Sequence, residues 1–206
     1  TIMRKLLCST LAALVVTAGA AFAQGAGQAV ATFGSGCFWC TESDFDKVPG
    51  VISTVSGYMG GKSQKPSYEE VSTGRSGHVE VVQVTYDPAK VTYQVLLEKY
   101  WHTTDPFDGS GQFCDKGTQY RPVIFTHSPE QHKAAEASKD AAAKELAAKF
   151  KLPIAVKIEQ AAQFWPAEEY HQDFYKKNPA HYNRYRLGCG RDFRLEQIWG
   201  KLAPKS

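Results

Sequence analysis

Ala29-Val30-Ala31-Thr32-Phe33-Gly34-Ser35-Gly36-Cys37-Phe38-Trp39-Cys40 is the stretch from which this chain is best read. Its apolar start forms a short strand, Gly34-Ser35-Gly36 makes a flexible turn, and Cys37 to Val48 reads as a helix closed by Pro49-Gly50. Phe38, Phe45 and Val48 can share the buried side of that helix. A cysteine brought through glycines onto a helix start meets unpaired amide N–H groups and the positive end of the helix dipole. Both favour thiolate over thiol, so Cys37 is expected to be acidified and nucleophilic. Phe38 and Trp39 set aromatic surface beside the sulfur, which suits a small apolar group such as a thioether methyl. Taken alone, Cys37-x-x-Cys40 is equally open to a structural pair.

Outward from this turn, strands and helices mix without a βαβα repeat. Val51 to Tyr58 and His78 to Tyr86 read as strands, the second largely buried and stopped by Asp87-Pro88. Between them, Ser63 to Gly77 is polar and reads as a loop carrying Tyr68. Thr92 to His102 fits a helix with Val95, Leu96 and Tyr100 on one face. Thr103 to Gln119 has the length of a functional loop, and Tyr120 to Thr126 returns to strand. Ser128-Pro129 opens a long helix. Ile154 to Gln160 reads as a strand, and Ala167 to Lys176 as a helix. From Asn178 the chain is aromatic and basic, with Gly188-Cys189-Gly190 in what reads as a flexible tail. The expected fold is α+β, one domain with a mixed sheet and packed helices.

Two further segments hold chemistry. In Gly77-His78-Val79-Glu80, alternation sends His78 and Glu80 to one side of the strand; if that side is enclosed, desolvation raises the Glu80 pKa and makes it a general acid. Asp115-Lys116-Gly117-Thr118-Gln119-Tyr120-Arg121 feeds a strand from a loop, where Asp115 and Tyr120 can orient or donate hydrogen bonds, although a tyrosine at a strand start also serves simply to pack.

Residues 1–23 read as an export signal: Arg4-Lys5, an apolar run from Leu6 to Ala21, and Ala21-Phe22-Ala23 before Gln24. The domain is then 24–206, exported, in the periplasm, with no stable membrane insertion after cleavage. Removing Arg4 and Lys5 leaves 22 basic against 21 acidic residues, a formal charge of about +1 instead of +3. Such a balance gives no reason to expect nucleic acid or anionic lipid as a partner. Beyond this segment stand Cys37, Cys40, Cys114 and Cys189, and an even count in an exported protein is also compatible with structural disulfides.

Three rival functions fit parts of this pattern. A disulfide exchanger working through Cys37 and Cys40 has no use for an acid such as Glu80. A zinc site built from Cys37, Cys40 and His78-x-Glu80 has the order of the zinc deaminases reversed and lacks their proline before the cysteine pair. A non-catalytic binding domain is the third.

Gly36-Cys37-Phe38-Trp39, Pro66-Ser67-Tyr68, Gly74 through Gly77-His78-Val79-Glu80, Tyr86-Asp87-Pro88, Gly117-Thr118-Gln119-Tyr120-Arg121 and Ala167-Glu168-Glu169-Tyr170-His171-Gln172 together resemble the A class of peptide methionine sulfoxide reductases, in the same order from about Ala31 to Asn178. The resemblance implies a two-layer sandwich with a partly open pocket at Cys37 and reduction of the S epimer of methionine sulfoxide, free or in proteins. It implies that Cys37 is the nucleophile and Glu80 the proton donor. Tyr68 and Tyr120 would bond the sulfoxide oxygen, Asp115 would be a pocket carboxylate, and Phe38 and Trp39 would hold the methyl group. These roles make chemical sense: loss of the sulfoxide oxygen needs a proton, and the Cys37 sulfenic acid that results can condense with a second thiol. A thioredoxin-like dithiol then reduces the disulfide, with no metal or organic cofactor, in what is expected to be a monomer.

The pattern departs from the family in its thiols. Cys40 stands where many members have glycine, and Cys114 where they have no catalytic thiol. Cys189, between two glycines, is expected to swing to Cys37 as the resolving cysteine, with Cys40 the next alternative and Cys114 the last.

Overall fold

The structure is a computed structural model that describes residues 27–200. The segment read as an export signal, residues 1–23, lies outside them. The first half of the chain forms β1 (Ala29–Gly34), α1 (Phe38–Phe45), β2 (Val51–Met59), α2 (Tyr68–Ser72), β3 (Val79–Tyr86), α3 (Tyr93–His102), β4 (Gly111–Gln112) and β5 (Asp115–Lys116). The second half forms β6 (Val123–Thr126), α4 (Pro129–Ala147), β7 (Lys157–Gln160), β8 (Trp165–Pro166), α5 (Phe174–Lys177), α6 (Pro179–Gly188) and α7 (Arg191–Trp199). Six strands make one mixed sheet in the order β7-β6-β1-β3-β2-β8, and β4 and β5 form a small separate hairpin. β1 pairs antiparallel with β3 and β6, whereas β6 and β7 run parallel. The expected mixed sheet with packed helices, in one domain, is what forms.

Both faces of the sheet are covered, and the pleat sorts β3 between them. Val82 and Val84 join Ala31, Phe33, Phe45, Leu96 and Tyr100 in the larger core, while Val79 and Val81 join Met59, Val123 and Phe125 on the other side. Glu80 therefore shares its face with Val82 and Val84, towards α1, and not with solvent. His78, beside it in sequence, has a structural task. Its ring accepts from the Gly61 N–H (3.1 Å) and donates to the Ser63 carbonyl (2.9 Å), pinning the turn after β2. A Cβ at Gly61 would lie 2.3 Å from that ring, so the turn needs glycine.

Capping explains where the long helices start. Ser128 accepts from the Gln131 N–H (3.2 Å) at the head of α4, and Thr92 from the Val95 N–H (3.3 Å) at the head of α3; each cap is worth about 1 kcal/mol. On α3 the buried stripe is Tyr93, Leu96, Leu97, Tyr100 and Trp101. Val95, expected beside Leu96, lies off that stripe and is exposed.

Several local expectations are corrected. α1 stops at Phe45, and it is buried nearly all round, including Glu42, Ser43 and Asp44, because α5 and α6 cover the side turned away from the sheet and Arg191 of α7 reaches Asp44. The loop at 63–77 contains α2, capped by Ser67, with Tyr68 as its first residue. The helix expected over 167–176 is broken into a 3-10 turn at Glu169–His171 and the short α5. Gln172 is the cause: its side-chain amide accepts from the Ser56 N–H and donates to the Ser56 carbonyl (both 2.9 Å), standing in for a strand partner. Asp173 then turns left-handed (φ +52°), with its N–H held by Glu42 (3.0 Å). The segment read as a flexible tail is α6 and α7, docked by the buried Arg191.

Candidate active site

Cys37 is the N-cap of α1 and is 7 % exposed. The turn that delivers it is held from two sides. Gly36 has φ +84°, and a Cβ there would meet the Gln112 side chain at 2.6 Å; Gln112 itself is fully buried and bonded to both backbone groups of Asp105 (2.8 Å each). From the other side, the Arg191 guanidinium donates to the Ser35 carbonyl (3.0 Å), the Ser35 hydroxyl (3.2 Å) and the Thr103 carbonyl (2.7 Å).

Cys37 has no side-chain cap bond. The first amide of α1, the Phe38 N–H, donates instead to Glu80 Oε2 (3.1 Å) across the sheet–helix interface. This overturns the expected acidified thiol. Burial pushes the Cys37 thiol well above its usual range, and Cys40, Glu80 and Asp115 push it further. The helix end that was to stabilise a thiolate already has a carboxyl as its partner. Glu80 is 2 % exposed, and burial pushes it up to about 8 against the opposing bond from the Phe38 N–H, with the Asp115 charge adding to the rise. It is therefore a protonated acid at neutral pH, as the strand pattern suggested.

Cys40 lies within hydrogen-bonding reach of Cys37, and both are free thiols. That bond from Cys37 pulls the Cys40 pKa down, and the positive charges of Arg191 and Arg186 help. Negative charge on this pair is thus repelled from Cys37 and drawn to Cys40.

The remaining side chains close around the sulfur. Tyr68 and Tyr120 are half-buried near Glu80, Asp115 and Cys37; burial pushes Tyr68 up to about 12 and raises Tyr120 as well, so both hydroxyls stay protonated donors. Tyr68 is placed by Glu168, whose carboxylate accepts its N–H (2.8 Å) and the Tyr58 hydroxyl (2.8 Å). Trp39 donates from its indole N–H to His171 Nδ1 (3.0 Å) and stacks on Phe174 at 3.7 Å. The His171 ring also touches Phe38 and Tyr68, making an aromatic wall. Asp115 accepts from the Tyr185 hydroxyl, and Tyr185 is also within hydrogen-bonding reach of Cys37.

The structure thus brings together Cys37, Cys40, Phe38, Trp39, Tyr68, Glu80, Asp115 and Tyr120. It does not bring a free thiol from Cys189 or Cys114, because these two form a disulfide with a Cα–Cα distance of 4.9 Å. Among the described residues the one grouping with metal-ligand spacing is Cys114, Asp115 and Cys189, and its two sulfurs are bonded to each other. Sequence reasoning missed Tyr58, Glu168, His171, Tyr185, Arg186 and Arg191. Glu168 and His171 lay in the quoted Ala167-to-Gln172 motif, but nothing in that motif says what they touch. Tyr185, Arg186 and Arg191 fell in the stretch read as a tail.

Comparison with known proteins agrees with this geometry. The family model described as peptide methionine sulfoxide reductase matches residues 29–203. The chain is 51 % identical over 169 residues to a peptide methionine sulfoxide reductase MsrA of Listeria monocytogenes, covering 82 % of this chain and 94 % of that one. It is 49 % identical over 174 residues to the MsrA of Bacillus licheniformis, covering 84 % and 94 %. Among solved structures, methionine sulfoxide reductase A of Corynebacterium diphtheriae superposes with a TM-score of 0.71 at 37 % identity, covering 74 % of this chain and 76 % of that one. Reduced Mxr1 of Saccharomyces cerevisiae gives 0.70 at 34 % identity, covering 76 % and 88 %.

Proposed function

The chain belongs to the peptide methionine sulfoxide reductase family and is an oxidoreductase, and from that premise we propose that it reduces the S epimer of methionine sulfoxide, free or in oxidised proteins, at Cys37. The observation that carries this reading is the Glu80 carboxyl, buried and bonded to the first amide of the helix that Cys37 opens, where burial pushes its pKa up to about 8. The Cys37 sulfur attacks the sulfoxide sulfur while Glu80 gives its proton to the oxygen. Glu80 regains a proton as Cys37 loses its own, which reconciles a raised thiol with nucleophilic attack. Tyr68 and Tyr120 donate to the oxygen as charge develops there, and Phe38 and Trp39 enclose the methyl group. The attack joins the two sulfurs, and the oxygen, carrying the protons of Glu80 and Cys37, leaves as water. A second water then attacks the Cys37 sulfur, breaks the sulfur–sulfur bond and returns a proton to Glu80, leaving the thioether and a Cys37 sulfenic acid.

Cys40 is the resolving thiol in this proposal. Its sulfur adjoins Cys37, and Arg186 and Arg191 favour its thiolate, the form that condenses with a sulfenic acid. Water leaves and a Cys37–Cys40 disulfide forms, which a thioredoxin-like dithiol reduces by exchange. Export of the enzyme is in keeping with residues 1–23 and with an oxidised Cys114–Cys189 pair.

The test is incubation of the purified protein with racemic methionine sulfoxide and a dithiol, followed by chiral analysis. Half of the substrate should disappear, all of it the S epimer. Consumption of both epimers, or of neither, overturns the assignment.

A further inference from the structure

The loop residues Phe113, Cys114 and Asp115 are each fastened to the C-terminal helices. Phe113 lies under the Arg191 guanidinium at 4.5 Å, with a left-handed backbone (φ +52°). Cys114 is bonded to Cys189. Asp115 takes the Tyr185 hydroxyl. On the helix side, Tyr185 and Cys189 are one turn apart, joined by the bond from the Cys189 N–H to the Tyr185 carbonyl (2.9 Å). The disulfide and the Tyr185–Asp115 bond are therefore adjacent rungs between one helix and the loop that supplies the pocket carboxylate. Tyr185 also meets the Trp39 ring edge-on, 5.7 Å away, so its ring is fixed independently of its hydroxyl.

We propose that Tyr185 is a positioning residue of the reduction: its hydroxyl, held by the Cys114–Cys189 rung, fixes Asp115 as a carboxylate beside Cys37 and Glu80. The physical reason is that a donor to a carboxylate stabilises its charged form. Burial raises the Asp115 pKa; the Tyr185 hydroxyl opposes that rise, as do the charges of Arg191 on α7 and Lys116 on β5. Facing Asp115 from the other elements are Glu80 on β3, Cys37 at the head of α1, Tyr68 on α2, and Tyr120. An ionised Asp115 disfavours a second negative charge on Glu80, so it helps to keep the acid protonated. This inference rests on the reading of Glu80 as the proton donor.

Tyr185→Phe keeps the ring and removes the donor. In the variant the Asp115 carboxyl, followed by carbon-13 NMR and assigned by its loss in Asp115→Asn, should titrate about one pH unit higher than in the parent, the scale of one charge-assisted hydrogen bond. The single-turnover rate should fall about tenfold because a carboxylate no longer held by the hydroxyl strays from Glu80, and Tyr185→Phe should add nothing further in the Asp115→Asn background. The double variant Cys114→Ser with Cys189→Ser should move the Asp115 titration in the same direction by less. An unshifted Asp115 titration in Tyr185→Phe overturns the inference, as does a full rate loss from Tyr185→Phe on top of Asp115→Asn. Glu80→Gln separates the two readings. If that variant reacts as fast as the parent, the proton-donor role fails, whereas an unmoved Asp115 titration with an inactive Glu80→Gln condemns the Tyr185 proposal alone.

Discussion

The described residues hold two cysteine pairs built on opposite principles. Cys37 and Cys40 are three residues apart at the head of one helix, buried, and both free. Cys114 and Cys189 are 75 residues apart, join a loop to the junction of two helices, and are oxidised, with Cys114 exposed. Around the first pair Glu80 and Asp115 act on Cys37, whereas Cys40 lies near Arg186 and Arg191 together with the Asp44 carboxylate they hold. The second pair closes a long loop and ties the Asp115 segment to α6. In the proposed cycle, proximity in sequence makes a pair that can open and close in each turnover, whereas distance in sequence makes one that constrains the unfolded chain.

The largest effect should come from breaking the first pair at its nucleophile. Cys37→Ser should lower single-turnover reduction by at least about a thousandfold, since a serine hydroxyl is far less nucleophilic than the sulfur it replaces, with circular dichroism unchanged. A variant that retains more than a small fraction of activity would place the chemistry elsewhere. Next comes the contrast between resolving candidates. Cys40→Ser should complete one turnover at the parent rate but stop under a protein dithiol, whereas Cys189→Ser should keep turning over. Mass spectrometry after one equivalent of substrate should find a Cys37–Cys40 disulfide; a Cys37–Cys189 bond instead would restore the swinging-tail expectation. The smallest effect on chemistry, and the largest on stability, belongs to the second pair. Replacing Cys114 and Cys189 together by serine should cost about 2–4 kcal/mol in chemical denaturation. An unchanged midpoint and slope would show that the disulfide does not constrain the unfolded chain.

Much of this protein was legible before its shape was known. The strand–glycine turn–helix at Ala29–Cys40 and the valine-rich β3 follow from local rules, because glycine freedom, alternation and helix periodicity act over a few residues. The placing of Cys37 at the head of a helix and of Glu80 on the same side as the core was readable for the same reason, and the ordered motifs supplied the family. Local rules failed where a distant group took the place of a neighbour. The acidified Cys37 did not survive, because the fold buries the thiol and because Glu80, 42 residues away from Phe38, occupies the amide that was to stabilise the thiolate. The helix at 167–176 broke because Gln172 found β2 as a partner, 116 residues away in sequence. The tail became α6 and α7 because Arg191 reaches the Ser35 turn, and that docking brought Tyr185 to Asp115 and Cys189 to Cys114. The sequence alone determined the family, the strand–turn–helix at Cys37 and the buried strand that carries Glu80, since these depend on short-range sterics and pattern. Only the tertiary structure decided where protons and charge reside and which cysteines meet, since those depend on burial and on contacts across the chain.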